Sequence, residues 1–177
     1  MNLRLGVPKE PENETRVGIV PSSMKKLLKA GFEVLVEKGA GVSANYSDAE
    51  YEAAGAKIVS RADALACENI VCINFPGIEG ISENTNLACV ADPFRNPEYV
   101  KQCISSNITL MSMDMIPRRL SRAQSMDVNS SQDNLAGYKA VLLGAANVPK
   151  GIPMMTTSAG TVRPAKVVVM GLSLIHI

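Results

Sequence analysis

Short apolar runs alternate with amphipathic stretches along the first two thirds of the chain. The apolar runs predict β-strands at 3–7, 32–37, 57–59, 70–73, 87–91 and 108–113. Between them, apolar residues at helical spacing predict helices that begin near Pro21, after Ser47, and around 62–66 and 98–104. Strands that alternate with helices are typical of a doubly wound parallel α/β sheet, Rossmann- or flavodoxin-like, with helices on both faces.

Local boundary signals support these helices. Pro21 suits a first helical turn, and Gly31 is placed to end that helix. Ser47 with Glu50 three residues later has the spacing of a capping box, and Gly55 follows as a helix end.

The pattern changes after Met115. A basic, polar stretch at 117–122 leads into Ser130 and Asp133, which have capping-box spacing, and apolar residues then predict a helix at 132–146. After a loop rich in Thr and Ser, 165–170 predicts an apolar strand that ends at Gly171. A strand ending in glycine opens dinucleotide-binding βαβ units, but the glycines that should follow are missing.

Composition narrows the class of protein. The 177 residues are 46% hydrophobic and 20% charged with a net charge of +1, which excludes disorder and argues against nucleic acid as a partner. The opening residues predict no signal peptide, and no apolar run of the sequence has the length expected of a membrane span. The four cysteines form no C-x-x-C pair, which favours reduced core thiols over metal ligands or disulfides. The one histidine, His176, leaves no basis for a histidine triad or zinc site.

Several motifs together carry a family resemblance. Three segments resemble the N-terminal signature shared by alanine dehydrogenases and the α subunit of proton-translocating NAD(P) transhydrogenases. They are Gly-Val-Pro-Lys-Glu at 6–10, Asn-Glu-Thr-Arg-Val-Gly-Ile-Val-Pro at 13–21 and Glu-Lys-Gly-Ala-Gly at 37–41. Ser-Arg-Ala-Gln-Ser-Met-Asp at 121–127, together with 130–140 and 158–166, resembles the transhydrogenase branch. The resemblance extends from 3 to 171.

Chemistry favours the same branch. Oxidative deamination needs groups that exchange protons, and the dehydrogenases supply a lysine at a strand end and a histidine further on. This chain has Asn74 after the strand at 70–73 and no histidine at 90–94. Hydride transfer between two nicotinamides needs positioning but no protein proton carrier. Arg16 matches the dehydrogenases' arginine for the substrate carboxylate, and without those partners it is expected to form a surface or interdomain ion pair.

The resemblance implies a set of cofactor-binding residues and no catalytic or metal-binding residue. Arg119 is expected to contact the carboxamide or phosphate of NAD(H), and Gln124 to reach toward the second nucleotide. Asp127 and Ser130 are expected to bind the nicotinamide carboxamide and ribose, and Gly171 belongs to the pyrophosphate turn. Arg118 beside Arg119 leaves open which arginine contacts the nucleotide. Composition alone would indicate a solvated basic turn followed by a helix cap.

The resemblance also implies an organisation and partners. We expect an α/β domain at 1–117, a nicotinamide-contacting loop and connecting helix at 118–164, the first strand of an incomplete NAD-binding domain at 165–171, and a non-native tail at 172–177. The implied partners are a second copy in a homodimer, a membrane-embedded subunit and a domain that binds NADP(H). The protein would then be cytoplasmic and peripheral to the inner membrane.

The implied reaction is hydride transfer between NADH and NADP⁺, coupled in the whole enzyme to proton translocation. The 177-residue chain is expected to be an inactive fragment that binds NADH weakly or not at all, because its phosphate loop is missing. Two alternatives stay open: an alanine-dehydrogenase-like, NAD-dependent amino-acid oxidoreductase, and a non-catalytic fragment that only dimerises.

Overall fold

The structure is a computed structural model that describes residues 3–170. The chain divides into two compact units, Met1–Pro117 and Arg118–Ile177. The predicted tail at 172–177 and Gly171 lie outside the described residues.

The first unit is built on one parallel sheet of six strands. The strands are β1 (Leu3–Val7), β2 (Phe32–Glu37), β3 (Lys57–Val59), β4 (Asn69–Asn74), β5 (Asn86–Val90) and β6 (Thr109–Ser112). Their order is β3-β2-β1-β4-β5-β6, and every neighbouring pair is parallel. The predicted doubly wound fold is confirmed, and the order is the Rossmann one, with the chain reversing its direction of winding between β1 and β4.

Four helices accompany these strands. They are α1 (Met24–Lys29), which follows a 3₁₀ turn at Pro21–Ser23, α2 (Asp48–Ala53), α3 (Arg61–Leu65) and α4 (Pro97–Ser105). The Ser47 hydroxyl accepts the Glu50 backbone N–H, and Glu50 accepts the Ser47 N–H, so the predicted capping box is present. Gly31 and Gly55 follow α1 and α2 with φ of 89° and 97°, as helix-ending glycines do.

Two apolar clusters form the core of this unit. One surrounds β1 and β2 and includes Met24 and Tyr51, both fully buried. The Tyr51 hydroxyl donates to the Ile19 carbonyl oxygen at 2.7 Å, which satisfies the one polar group of that ring. The other cluster surrounds β4 and β5 and contains three of the four cysteines. All four cysteines are buried and free, in agreement with the predicted reduced thiols.

The second unit contains one long helix and one hairpin. Helix α5 runs over Val128–Asn147, and β7 (Met155–Thr157) pairs antiparallel with β8 (Gly160–Val162). The predicted start of α5 at 132 is wrong, because Asp127 and not Ser130 caps the helix. The hairpin lies in the segment interpreted as a loop. No helix within residues 3–170 combines the length and apolarity that crossing a bilayer requires.

The predicted strand at 165–170 has no counterpart among the strands of the described residues. A strand is defined by its ladder with a neighbour, and β7 and β8 pair only with each other. Val167, Val168, Val169 and Met170 are exposed instead, at 58–92%.

Candidate functional site

A small cleft opens at the carboxyl ends of β1 and β4. Its volume is about 190 Å³. In a doubly wound sheet, the crevice where the strand order reverses is the usual place for a ligand. The lining residues follow β1, lie in or follow β4, or belong to α3: Pro8, Lys9, Glu10, Pro11, Arg61, Cys72, Asn74, Phe75 and Pro76.

Glu10 joins the two strands that flank this cleft. Its side chain comes from the loop after β1 and is buried, with 9% exposure for the residue. The carboxylate accepts the backbone N–H groups of Ile73 at 2.5 Å and of Asn74 at 3.0 Å. It also accepts the Asn74 side-chain amide at 3.1 Å. Sequence reasoning assigned no role to Glu10, whose partners lie more than 60 residues away along the chain.

Glu14 connects Asn74 with Arg16. The Arg16 guanidinium donates to both Glu14 oxygens, at 2.8 and 2.7 Å, and the Asn74 amide donates to Glu14 at 3.2 Å. The hydrogen bonds from Arg16 lower the pKa of Glu14 to about 2. Arg16 therefore forms a local surface ion pair, one of the two roles predicted for it.

The other side of the cleft is held by Glu37 at the end of β2. Its Oε2 accepts the Lys9 backbone N–H at 2.7 Å and the Arg61 guanidinium at 3.0 Å. The same Arg61 nitrogen donates to the Lys9 carbonyl oxygen at 3.1 Å. The carboxylates and Asn74 around this cleft are thus engaged with neighbouring residues, an arrangement that fixes loops in place. In the part of the chain that the structure describes, no group of three or more His, Cys, Asp or Glu side chains could hold a metal ion.

The predicted nucleotide-contacting residues lie in the second unit, on the loop 118–127 and the first turn of α5. Two successive turns shape the loop: the Ala123 N–H donates to the Leu120 carbonyl at 2.8 Å, and Gln124–Met126 forms a 3₁₀ turn. Ala123 is buried, whereas Arg119 and Gln124 are exposed. The loop therefore presents a guanidinium and an amide to solvent.

Asp127 and Ser130 lie together at the start of α5. One Asp127 oxygen accepts the Ser130 backbone N–H at 3.0 Å, and the other accepts the Ser130 hydroxyl. The hydrogen bond from the Ser130 hydroxyl has the largest effect in lowering the pKa of Asp127, and the bond from the Ser130 backbone also lowers it. The positive charge of Arg118 lowers this pKa further. The pair forms the N-cap of α5, which is the structural role that composition alone suggested.

Arg118 is the residue of this loop that touches the cap. Its Nε lies 3.6 Å from Oδ2 of Asp127, and its Nη2 donates to Oδ2 of Asp133 at 3.2 Å. Arg119 makes no hydrogen bond or ion pair within the described residues. The structure thus brings Arg118, Asp127 and Ser130 together, while Arg119 and Gln124 lie in the same loop outside that cluster. The predicted residue Gly171 lies outside the described residues.

One family model matches this chain. It describes the alanine dehydrogenase/PNT N-terminal domain and matches residues 6–136. The match includes the cleft at the end of β4, the loop 118–127 and the start of α5.

Individual relatives fall into two groups. An NAD(P) transhydrogenase subunit alpha protein of Rhodospirillum rubrum is 44% identical over 180 residues, which cover 96% of this chain and 47% of the relative. The alanine dehydrogenase of Methanococcus maripaludis is 30% identical over 176 residues, which cover 94% of this chain and 46% of the relative. The crystal structure of transhydrogenase from Sinorhizobium meliloti superposes with a TM-score of 0.87 at 40% identity, over 92% of this chain and 50% of that one. The chain thus spans about half the length of these relatives.

Proposed function

Because the chain belongs to the alanine dehydrogenase/PNT family, we propose that it forms the N-terminal portion of an NAD(P) transhydrogenase α subunit. In the whole enzyme, this subunit takes part in hydride transfer between NADH and NADP⁺, coupled to proton translocation across a membrane. The activity belongs to a protein of about the length of the relatives, and the 177-residue chain is an inactive fragment of it.

The environment of Asn74 carries this proposal. Amino-acid deamination needs a group that exchanges protons with the substrate. At the carboxyl end of β4 the chain has an amide, which does not serve as a general acid or base, and that amide donates to Glu10 and Glu14. The nearby Arg16 is engaged with Glu14, so it is poorly placed to receive a substrate carboxylate. Direct hydride transfer between two nicotinamides asks for positioning alone.

The polar groups of the loop 118–127 fit a nicotinamide. A carboxamide presents two N–H donors and one carbonyl acceptor, which need an acceptor and a donor on the protein. The Asp127 carboxylate supplies acceptor capacity, Ser130 can reach a ribose hydroxyl, and the exposed Arg119 supplies donors for the carboxamide or a phosphate. Gln124 bridges toward the second nucleotide. The bound nicotinamide supplies the hydride chemistry, and these residues orient it.

The surface of α5 supports association with further protein. Leu135, Tyr138 and Val141 are each at least 58% exposed along a helix with no buried residue, and the segment 167–170 is equally uncovered. Large exposed apolar surfaces mark contacts with other protein. We assign them to the remaining portion of the subunit, to a second copy in a homodimer, and to the NADP-binding domain. A membrane-embedded subunit completes the enzyme, which places the chain on the cytoplasmic side, peripheral to the inner membrane.

The nucleotide-binding half of the site extends past the described residues. We propose that 165–170 belongs to the first strand of an NAD-binding domain, while the expected roles of Gly171 and of 172–177 fall outside the described residues. The strand pairs with its neighbours only when that domain is complete. Most of the NADH affinity therefore resides outside these 177 residues.

A fluorescence titration of the 177-residue chain with NADH tests this division. We expect no saturation in the micromolar range, and micromolar binding would contradict it.

Sequencing the gene beyond the codon for Gly171 tests the parent function, because a Gly-x-x-x-x-Gly motif followed by a helix is expected there. For a gene that continues in this way, the full-length product should reduce an NADP⁺ analogue with NADH in the presence of the partner subunits. NADH formation that depends on an amino acid would instead support an alanine dehydrogenase.

A further inference from the structure

Arg118 closes the loop 118–127. It is the first residue of the loop, Asp127 is the last, and their side chains meet with Nε 3.6 Å from Oδ2. The remaining end of the guanidinium donates to Asp133 in α5. One planar group therefore contacts two carboxylates through different nitrogens, and the rigid fork of a guanidinium fixes their relative positions more closely than the flexible ammonium of a lysine would.

Most of this loop is exposed. Leu120 and Met126 are more than half exposed, and Ala123 is the one buried residue among 118–127. The other fixed contacts are backbone hydrogen bonds of the two turns. A segment with few buried apolar contacts opens easily, and its conformation then depends on polar contacts between its ends. The Asp127 side chain is only 8% exposed, so this ion pair is better shielded than an ordinary surface pair.

The two neighbouring arginines consequently have different tasks. Two carboxylates neutralise Arg118, whereas Arg119 carries an exposed charge with no partner among residues 3–170. We propose that Arg118 is a positioning residue that holds Asp127 and the loop in place, a role that Arg119, which lacks these contacts, does not share. Arg122, which is also exposed, serves as the matched control within the same loop.

NMR spectroscopy of the 177-residue chain tests the positioning role. Arg118→Ala should raise the pKa of the Asp127 carboxyl and accelerate hydrogen exchange at the Ser130 amide severalfold, because both depend on the held cap. Arg118→Lys should restore much of the pKa, since the charge is kept, but not the amide protection. Arg119→Ala and Arg122→Ala should change neither quantity. Unchanged signals from residues 3–117 and from the carboxyl-terminal half of α5 show that both units of each variant still fold.

The proposal is overturned when Arg118→Ala leaves Ser130 exchange unchanged, or when Arg119→Ala accelerates it equally.

Discussion

Gly6 in β1 lies directly against the carbonyl oxygen of Ala64 in α3. A Cβ atom at Gly6 would stand 1.9 Å from that oxygen, well inside contact distance. The absence of a side chain is what lets α3 cross β1 so closely, and it gives a physical reason for the glycine in the motif at 6–10.

Substitution of this glycine should therefore destabilise the first unit. Gly6→Ala forces α3 away from the sheet, and we expect a loss of about 2–3 kcal/mol in the free energy of unfolding, measured by circular dichroism in urea. Gly137→Ala is the matched control, because no atom outside the helix lies within 4 Å of its added Cβ. Alanine is the better helix former, so this control should be neutral or stabilising. Equal effects of the two substitutions would show that the close crossing is unimportant.

Removal of the Glu10 carboxylate should loosen the end of β4. Glu10→Ala leaves the N–H groups of Ile73 and Asn74 without their acceptor, and an unsatisfied buried donor costs about 1–3 kcal/mol. Glu10→Gln keeps one acceptor oxygen and should lose less. Urea denaturation gives the two free energies, and hydrogen exchange should locate the change at these amides. Unaltered exchange at both amides in Glu10→Ala would contradict this role.

The Glu14–Arg16 pair should contribute to stability only above acidic pH. The pKa of Glu14 is lowered to about 2 by Arg16, so its contribution is complete above the ordinary value near 4.5 and is lost as the pH falls toward 2. We expect the pair to contribute about 1 kcal/mol to the free energy of unfolding at low salt, because the Arg16 side chain is 46% exposed and its charge is partly screened by solvent. Unfolding measured between pH 5 and 2 should show a shallower decline for Glu14→Gln than for the wild type. Parallel declines would mean that other carboxyls dominate.

The burial of Tyr51 should make the protein less stable at alkaline pH. Burial raises its pKa to about 12, above the ordinary value of 10. The group is neutral in the folded protein, so its contribution is complete below pH 10 and is lost between pH 10 and 12. Absorbance at the tyrosinate band should show one tyrosine that ionises late or together with unfolding. Tyr51→Phe should remove that late phase and lower stability at neutral pH, because the Ile19 carbonyl loses its donor.

The cysteines should be unreactive in the folded chain. All four are buried, and burial raises the pKa of Cys67 and Cys103. A hydrogen bond with Cys89 together with burial raises the pKa of Cys72. The thiolate is the nucleophile, so a thiol reagent at pH 8 should modify the native protein slowly. All four thiols per chain should react only after denaturation. Rapid modification of one native thiol would show that part of the core opens readily.

Part of the first unit could be predicted from the sequence because β1 and β2 each hold three consecutive buried residues. Strands of this kind appear as continuous apolar runs, and the limits of β1 and β2, like those of the short strand β3, match the runs that predicted them. The capping box at Ser47 and the glycines after α1 and α2 are local signals, since each depends on residues within one turn. The position of Glu10 beside Asn74 is not local, and no pattern along the chain indicates it.

The second unit was harder to predict, for physical reasons that differ between its segments. Serine and aspartate recur around the start of α5, so Ser130 with Asp133 had the same spacing as the true pair, Asp127 with Ser130. The hairpin strands have three residues each, and each carries only one apolar side chain, Met155 or Val162. For Arg118 and Arg119, spacing offers no distinction, and only the contacts of the folded loop separate them. The nucleotide-binding roles stay predictions.

The bond from Glu10 to β4 also bears on how the chain is made. The acceptor is synthesised before its donors, which follow 63 and 64 residues later. In a nascent chain emerging from the ribosome, the Glu10 carboxylate therefore stays hydrated until β4 has left the exit tunnel, and the loop after β1 lacks its partner until then. Closing so long a segment costs entropy that only the completed central strands repay. The first unit is thus expected to acquire its native state late and cooperatively during translation, rather than strand by strand.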